Sequence, residues 1–262
     1  MKPFKIKQLV GLLAMTLSFA ALATDATGPN KVYIEQVGNS NLITIEQVGG
    51  TNNVGGIAGS VAVDASGVST LTVTAPSSSN YATITGSSNQ VAITQHGDAN
   101  SAQYNIKGNQ NVYTNTVTGN GNQTKLSIGD ANTNGLRNEV TETITGNTNM
   151  SITNIVGSDN TLSTTITGNS NQLTTSVNTS NADITHTISG NNNIFNVQQV
   201  DAAGSAGHSL TTQTTGSYNS ITTQQQGTND TTIDIKTTGD HNTITVRSSS
   251  STIASPVSAI AR

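Results

Sequence analysis

The polar and apolar positions of this chain repeat every eleven residues. Within a repeat, the fifth, seventh and ninth positions after a glycine are apolar or Gln, and the positions between them are polar and mostly Thr. Alternation with a period of two is typical of a β-strand with one buried and one solvated face. Each repeat is therefore predicted to be a strand of about seven residues closed by a turn.

The turn carries the pattern G-x-x-N. Glycine accepts a positive φ, and Asn hydrogen-bonds nearby backbone and tolerates the left-handed region. The candidate structural and self-assembly residues are glycines and asparagines of this pattern together with Gln36, Gln47 and Gln95. The pairs are Gly38 and Asn41, Gly86 and Asn89, Gly97 and Asn100, Gly108 and Asn111, Gly146 and Asn149, Gly157 and Asn160, and Gly168 and Asn171. The pattern also occurs at Gly119 and Asn122, Gly135 and Asn138, and Gly190 and Asn193.

The same register extends over nineteen units, with short insertions predicted as loops at 49–52, 130–134 and 201–204. Nine units begin at the glycines from Gly86 to Gly190 just named. The other units begin at Thr27, Gly38, Asn53, Asp64, Ala75, Thr179, Ser205, Gly216, Gly227 and Gly239.

One strand and one turn cannot return to their starting point, so two units of eleven residues make the smallest closed coil. Three units per coil would also close. The fold class is an all-β solenoid, and two units per coil at ~4.8 Å per coil give a rod of about 45 Å. The predicted inward set is led by Val32, Ile34, Ile43, Ile45, Val91, Ile93, Leu162, Ile166, Leu173, Val177, Ile184 and Ile188.

Composition agrees with this fold, since only 9% of residues are charged and 3% are aromatic. Such polarity is common in disordered chains, but those are usually charged and poor in β-branched residues. Here Thr, Ile and Val are abundant, and they favour strands.

The ends of the chain differ from the repeats. Three lysines, an apolar run and a small-residue triplet ending at Ala23 predict a secretory signal peptide over residues 1–23. The repeat domain is predicted to span 24–247. A Ser-rich tail follows over 248–262, which either caps the last coil or is mobile. The apolar run is too short for a membrane helix, so no membrane span is expected.

Charge and cysteine content narrow the partners. Removing the signal leaves seven Lys and Arg against fourteen Asp and Glu, a net charge of −7. Nucleic acid is not an expected partner, because contacts with phosphates need clustered Lys and Arg. The chain has no cysteine, so stability must come from backbone pairing, packing or self-association.

Ionisable groups are scattered, and neither an enzyme activity, a metal nor a cofactor is expected. The four histidines lie in four different units without metal-ligand spacing, and three of them fall in or beside turns. His186, Glu142 and Asp234 occupy inward positions. No second carboxylate faces either acid within its unit, as a glycosidase pair would require.

Two segments resemble the curlin repeat, Q-x-G-x-x-N-x-A-x-x-x-Q. The first contains Gln36, Gly38, Asn41 and Gln47, with Ile43 in the Ala place, and the second contains Gln95, Gly97 and Asn100 followed by Ala102. The full Gln-containing motif is confined to the N-terminal part and Gln95. From Gly135 to Thr179, Ile or Val replaces this Gln.

The resemblance implies a secreted bacterial protein that forms an extracellular, cell-surface amyloid fibre of a biofilm matrix. Its implied partners are further copies of itself, a nucleating or major subunit of the same type, and an outer-membrane secretion pore. Two alternatives are a solenoid adhesin or phage fibre component and an ice-binding solenoid that uses outward Thr rows such as Thr243 and Thr245. A regular Thr lattice on one face would distinguish the second alternative from the first.

Overall fold

A computed structural model describes residues 19–22, 28–56, 59–63, 69–73, 80–201, 207–227, 230–250 and 257–261. This part of the chain is all-β without a helix. It forms a β-solenoid of about eight turns with about 23 residues per turn. The predicted fold class is therefore confirmed.

Two parallel sheets form the two sides of the solenoid. The first sheet contains β1 (Phe19–Leu22), β4 (Leu42–Val48), β9 (Gln90–His96), β11 (Val112–Thr118), β14 (Glu139–Thr145), β16 (Thr161–Thr167), β18 (Asp183–Ser189), β20 (Ser209–Thr215), β22 (Thr232–Thr238) and β24 (Val257–Ala261).

The second sheet is built from the alternate strands. It contains β2 (Lys31–Val32), β3 (Ile34–Val37), β5 (Asn53–Val54), β8 (Ala82–Thr85), β10 (Ser101–Asn109), β12 (Gln123–Ile128), β13 (Gly135–Leu136), β15 (Met150–Val156), β17 (Gln172–Asn178), β19 (Ile194–Asp201), β21 (Ser220–Gly227) and β23 (Thr243–Ser250).

The chain alternates between these sheets, and each strand pairs with a strand one coil away. Val140 pairs with Leu162, which pairs with Ile184, each step being 22 residues. Two eleven-residue units thus make one coil, and the three-unit alternative is wrong. The pairing is parallel because the chain circles the axis in one direction.

The core lies between the two sheets and contains the predicted inward side chains. Ile43, Val91, Leu162 and Ile188 are almost fully buried. The other predicted members are buried too, apart from Val32 and Ile34, which are partly buried against the same cluster. Burying such a side chain contributes about 1.5–3 kcal/mol, so these columns carry much of the stability.

The sequence register near residue 50 is corrected by the structure. Residues 49–52 are not an insertion but a regular G-x-x-N turn, in which Gly49 has φ 105°, Thr51 has φ 56° and Asn52 is buried. Gly49 lies eleven residues after Gly38, so the turn keeps the period.

The eleven-residue repeat is interrupted in the next strand, after β5. The unit predicted to begin at Asn53 keeps only β5 in the second sheet. Its remainder and the unit predicted to begin at Asp64 contribute the two strands of an antiparallel hairpin, β6 (Gly59–Val63) and β7 (Ser69–Val73). The chain rejoins the second sheet at β8, where Ala82 pairs with Ile34.

The remaining boundaries are partly described. Residues 130–134 form the predicted loop, in which the Asp130 carboxylate accepts hydrogen bonds from the backbone N–H groups of Asn132 and Thr133 at 2.8 and 2.6 Å. The insertion at 202–204, most of the predicted signal peptide and residues 251–256 of the tail lie outside the described residues. The described residues next to these segments form strands, since β1 pairs with β4 and β24 pairs with β22.

Candidate functional site

The turns depend on glycine because successive turns stack closely. Gly108 has φ 136°, and a Cβ there would lie 1.8 Å from the carbonyl oxygen of Gly135 in the next coil. The left-handed residue is the one before the Asn, as at Gln110 (φ 59°). Asn therefore does not supply the left-handed conformation that the sequence pattern suggested.

The Asn side chains point inward and form ladders along the axis. At Asn111, the backbone N–H and Nδ2 both donate to Oδ1 of Asn89 at 3.0 Å, and Nδ2 also donates to the carbonyl of Gly135 at 2.9 Å. The Asn111 Oδ1 in turn accepts from the backbone N–H and Nδ2 of Asn138. Asn111 thus has both its amide hydrogens and its oxygen satisfied, and the same holds for Asn122 and Asn149.

There are two such ladders, one at each edge of the core. The first ladder runs through Asn41, Asn89, Asn111, Asn138 and Asn160. The second runs from Asn30 through Asn52, Asn100, Asn122, Asn149, Asn171, Asn193, Asn219 and Asn242.

Glutamine ladders are shorter. Gln47 donates to Gln95 through their side chains at 2.9 Å, and Gln199 donates to Gln225 at 2.6 Å. Gln36 has no such partner among the described residues, because Ile84 stacks next to it. Along the middle coils Ile144, Ile166 and Ile188 occupy this station, as the sequence suggested.

The predicted self-assembly residues therefore separate into three groups. All the named Asn residues join a ladder, and the named Gly residues form stacked turns. Of the Gln residues, Gln47 and Gln95 pair while Gln36 does not. Sequence reasoning missed Asn30, Asn52, Asn219 and Asn242 as ladder members, although Gly49, Gly216 and Gly239 precede the last three by three residues.

Among the described residues, one carboxyl group is fully buried inside the solenoid, as predicted for Glu142. Its oxygens accept hydrogen bonds from the Tyr113 hydroxyl at 2.8 Å, from Asn115 Nδ2 at 3.3 Å, and from the hydroxyls of Ser151 and Thr153 at 2.7 and 3.2 Å. Burial raises the pKa of Glu142, and these hydrogen bonds oppose the rise. The carboxyl is held by neutral donors from both sheets.

Other ionisable groups differ from the sequence analysis in two places. Asp234 is exposed, because β22 turns Ile233 and Ile235 inward, so its inward assignment was wrong. His208 is buried at the station that Asn occupies elsewhere and contacts Thr231, so it is not solvated. His186 is inward as predicted, and burial lowers its pKa to about 4.

The outer face of the first sheet carries a regular set of threonines. The threonine array comprises the last three of the four outward positions of each of the strands β11, β14, β16, β18 and β20. The first outward positions, which lie outside the array, are Val112, Glu139, Thr161, Asp183 and Ser209. Three positions in β11, three in β14 and two in each other strand are Thr, so Thr occupies twelve of the fifteen. The remaining three positions are Ser163, Ser189 and Gln213. All fifteen side chains are half-buried or exposed.

The array is in register in both directions. Thr114 pairs with Thr141, and Thr116, Thr143, Thr165 and Thr187 form an unbroken column across four strands. Along a strand, successive array residues are two positions apart. A regular Thr lattice is the feature expected to distinguish an ice-binding solenoid from an adhesin. The row named from the sequence, Thr243 and Thr245, lies on β23 of the second sheet and not in the array.

The outer face of the second sheet has no comparable order. Its outward positions include Lys125, Ile152, Asn154, Gln198 and Arg247. A depression of about 540 Å³ lies on this face, lined by ten residues. They are Tyr81, Thr83, Gln103, Asn105, Lys125, Leu126, Ser127, Ile152, Thr153 and Asn154.

Among the described residues, no group of three or more His, Asp or Glu side chains could hold a metal ion, and no helix could span a membrane. Comparisons of the chain with protein-family models, curated proteins and solved structures found no match. The inferences about function therefore depend on the geometry of the ladders, strands and outer faces.

Proposed function

We propose that this chain is a structural, non-enzymatic subunit of an extracellular curli-like fibre, exported by a bacterium and assembled end to end. Its partners are further copies of the chain, a nucleating or major subunit of the same type, and a secretion pore. The segments containing Gln36 and Gln95 support this proposal through their likeness to the curlin repeat.

The observation that carries the proposal is the direction of the second Asn ladder. The backbone N–H of Asn52 donates to Oδ1 of Asn30 at 2.9 Å. At the other end, the backbone N–H and Nδ2 of Asn242 donate to Oδ1 of Asn219 at 2.9 and 3.0 Å. A second copy whose Asn30 stacks on Asn242 would continue the ladder with the same bonds.

The strand edges agree with this arrangement. An unpaired strand edge templates further pairing. In the second sheet, β2 and β3 of one copy would follow β23 of another, and in the first sheet β4 would follow β24. In the full chain β1 covers β4. Because β1 lies inside the predicted signal peptide, cleavage after Ala23 would uncover β4 for the next copy.

Assembly of the purified chain from Thr24 onward tests the proposal. Fibres that grow at micromolar concentration and give a cross-β reflection near ~4.8 Å are expected. The double variant Asn30→Ala and Asn242→Ala should lengthen at least tenfold more slowly, because the ladder cannot cross the junction. Asn178→Ala is the matched control, since Asn178 is exposed at the end of β17, and it should grow normally.

Two results would contradict the proposal. One is a chain that stays monomeric for days even when seeded, which would favour the adhesin or ice-binding alternatives. The other is equal growth of the double variant and the wild type. A chain that keeps residues 1–23 should also assemble more slowly than the processed chain.

A further inference from the structure

We propose that the threonine array binds ice. This function is separate from fibre formation and needs only one folded solenoid. It rests on three features of the array: its two-dimensional regularity, its lack of charge, and its restriction to one of two otherwise equivalent faces.

Regularity comes directly from the sheet. Columns of Thr are separated by the strand spacing of ~4.8 Å, and neighbours along a strand by two residues, ~6.8 Å. Each Thr presents one hydroxyl, which both donates and accepts, beside one methyl group. Repeated at fixed spacing, these groups can hold a layer of water in a lattice of comparable dimensions.

The array is also rigid and of useful size. Five strands and three positions per strand cover roughly 19 by 14 Å, or about 250 Å². Each strand is held from below by buried residues such as Tyr113, Val140, Leu162, Ile184 and Leu210. The backbone positions of the array are therefore fixed before binding, which reduces the entropy lost when an ordered surface is bound.

The absence of charge in the threonine array indicates which kind of solid surface it binds. The fifteen array positions contain no ionisable side chain. Ionisable residues border the array. His96 on β9 pairs with Thr118 at one end and contacts Glu46 of β4, and Asp234 and Lys236 lie on β22 at the other end. Glu139 and Asp183 occupy the first outward positions of β14 and β18. A mineral surface would call for charges, and a polysaccharide for exposed aromatic rings. The array has neither, whereas neutral hydroxyls and methyls suit crystalline water.

The residues on the second sheet exclude the simplest alternative explanation of the threonine array, which is the general preference of Thr for strands. Thr is favoured in strands whatever the strand's function. If that preference alone had selected the threonines, both outer faces should carry them. At the equivalent central column of the second sheet the residues are Asn105, Ser127, Asn154, Ser176 and Gln198. The enrichment in Thr is therefore a property of the outer face of the first sheet and does not follow from the strand propensity of Thr.

The test compares lysine substitutions on the two faces. The array variant carries Thr116→Lys, Thr143→Lys and Thr165→Lys in three consecutive strands of the first sheet. The control carries Ser127→Lys, Asn154→Lys and Ser176→Lys at the matching column of the second sheet. Freezing-point hysteresis and inhibition of ice recrystallisation are measured on the chain from Thr24 onward, at concentrations where it is monomeric.

The wild type and the control should show equal activity, and the array variant should lose at least tenfold. Circular dichroism verifies that each chain is folded. If the triple variants unfold, the single pair Thr143→Lys and Asn154→Lys makes the same comparison, with a severalfold loss expected only for the first. A wild type without activity, or equal losses on both faces, would overturn the proposal. Fibre growth is scored separately, so failure of one proposal leaves the other intact.

Discussion

The two outer faces of this solenoid are built from the same repeat, yet they differ sharply. On the first sheet, Thr114, Thr141 and Thr185 belong to an ordered and uncharged array. On the second, Lys125 and Ile152 occupy consecutive outward positions of one column. Their interiors, by contrast, are alike at the inward column of Ile144 and Ile155, which is aliphatic on both sheets in the middle coils, and differ where Glu142 lies in the first sheet.

This difference shows which positions the fold constrains. An inward residue must stack on its neighbours in the coils before and after it, so both sheets require similar residues there. An outward residue on a solvated strand must only be compatible with a strand. Order on an outer face is therefore not required by folding and indicates a separate requirement.

The largest expected effect tests whether the aliphatic column of Ile144 and Ile155 contributes equally to stability on the two sheets. Ile144 in the first sheet and Ile155 in the second are both fully buried. Ile144→Ala and Ile155→Ala should each lower the free energy of unfolding by about 2–5 kcal/mol, because each leaves a cavity. Urea denaturation measures the loss, with exposed Thr167→Ala as the control. A large loss on one sheet alone would show that the interiors differ.

A smaller effect concerns the two Asn ladders. Asn111→Ala in the first ladder and Asn122→Ala in the second should each cost about 1–3 kcal/mol, because the buried amides of the next coil lose their acceptor. Asn160→Ala should cost less, since only the backbone N–H of Ala182 depends on its Oδ1 in the next coil. Thermal unfolding of the three variants tests this order. Equal losses at Asn111 and Asn160 would contradict the ladder account.

The smallest expected effect concerns the buried carboxyl group of Glu142, which distinguishes the interior of the first sheet from that of the second. The folded chain holds the proton of Glu142 more tightly than the unfolded chain, because burial raises its pKa. Stability should therefore be full below the unfolded pKa of ~4.3 and should fall as pH rises toward the folded pKa. Glu142→Gln should remove this fall and raise the free energy of unfolding at pH 7 by about 1 kcal/mol.

Denaturation of both chains at several pH values measures the difference. The matched substitution Glu139→Gln changes an exposed carboxyl three residues away and should leave the pH dependence intact. A wild type whose stability rises through the same interval would contradict the assignment.

Much of the fold follows from the sequence because the repeat is local. Gly108 and Asn111 predict a turn from their spacing alone. The alternation of polar and apolar residues in β16 likewise predicts that Leu162 and Ile166 point inward, without reference to distant parts of the chain. The ladders follow from the same repeat once two units per coil are known.

The threonine array was harder to foresee because it depends on which units share a sheet. Thr141, Thr174 and Thr185 occupy the same position of their units, yet Thr174 lies on the second sheet and the other two on the first. Which sheet each of these threonines belongs to can be assigned only when the number of strands per coil is known. The turn at residues 49–52 had a usable signal in the spacing of Gly38 and Gly49. The hairpin of β6 and β7 had none, because its alternation resembles that of a coil strand.

That hairpin shows how such a chain can gain new parts. It enters after β5 and leaves before β8, yet Ile84 still stacks between Gln36 and Ile106 as if the coil were uninterrupted. β5 and β8 pair with successive parts of β10, so the hairpin is inserted within one strand of a coil and not at a turn. Each coil pairs only with its immediate neighbours, so this insertion alters no pairing elsewhere. A strand of this solenoid is accordingly a site where evolution or an engineer can insert a segment of unrelated fold while the rest of the chain keeps its register.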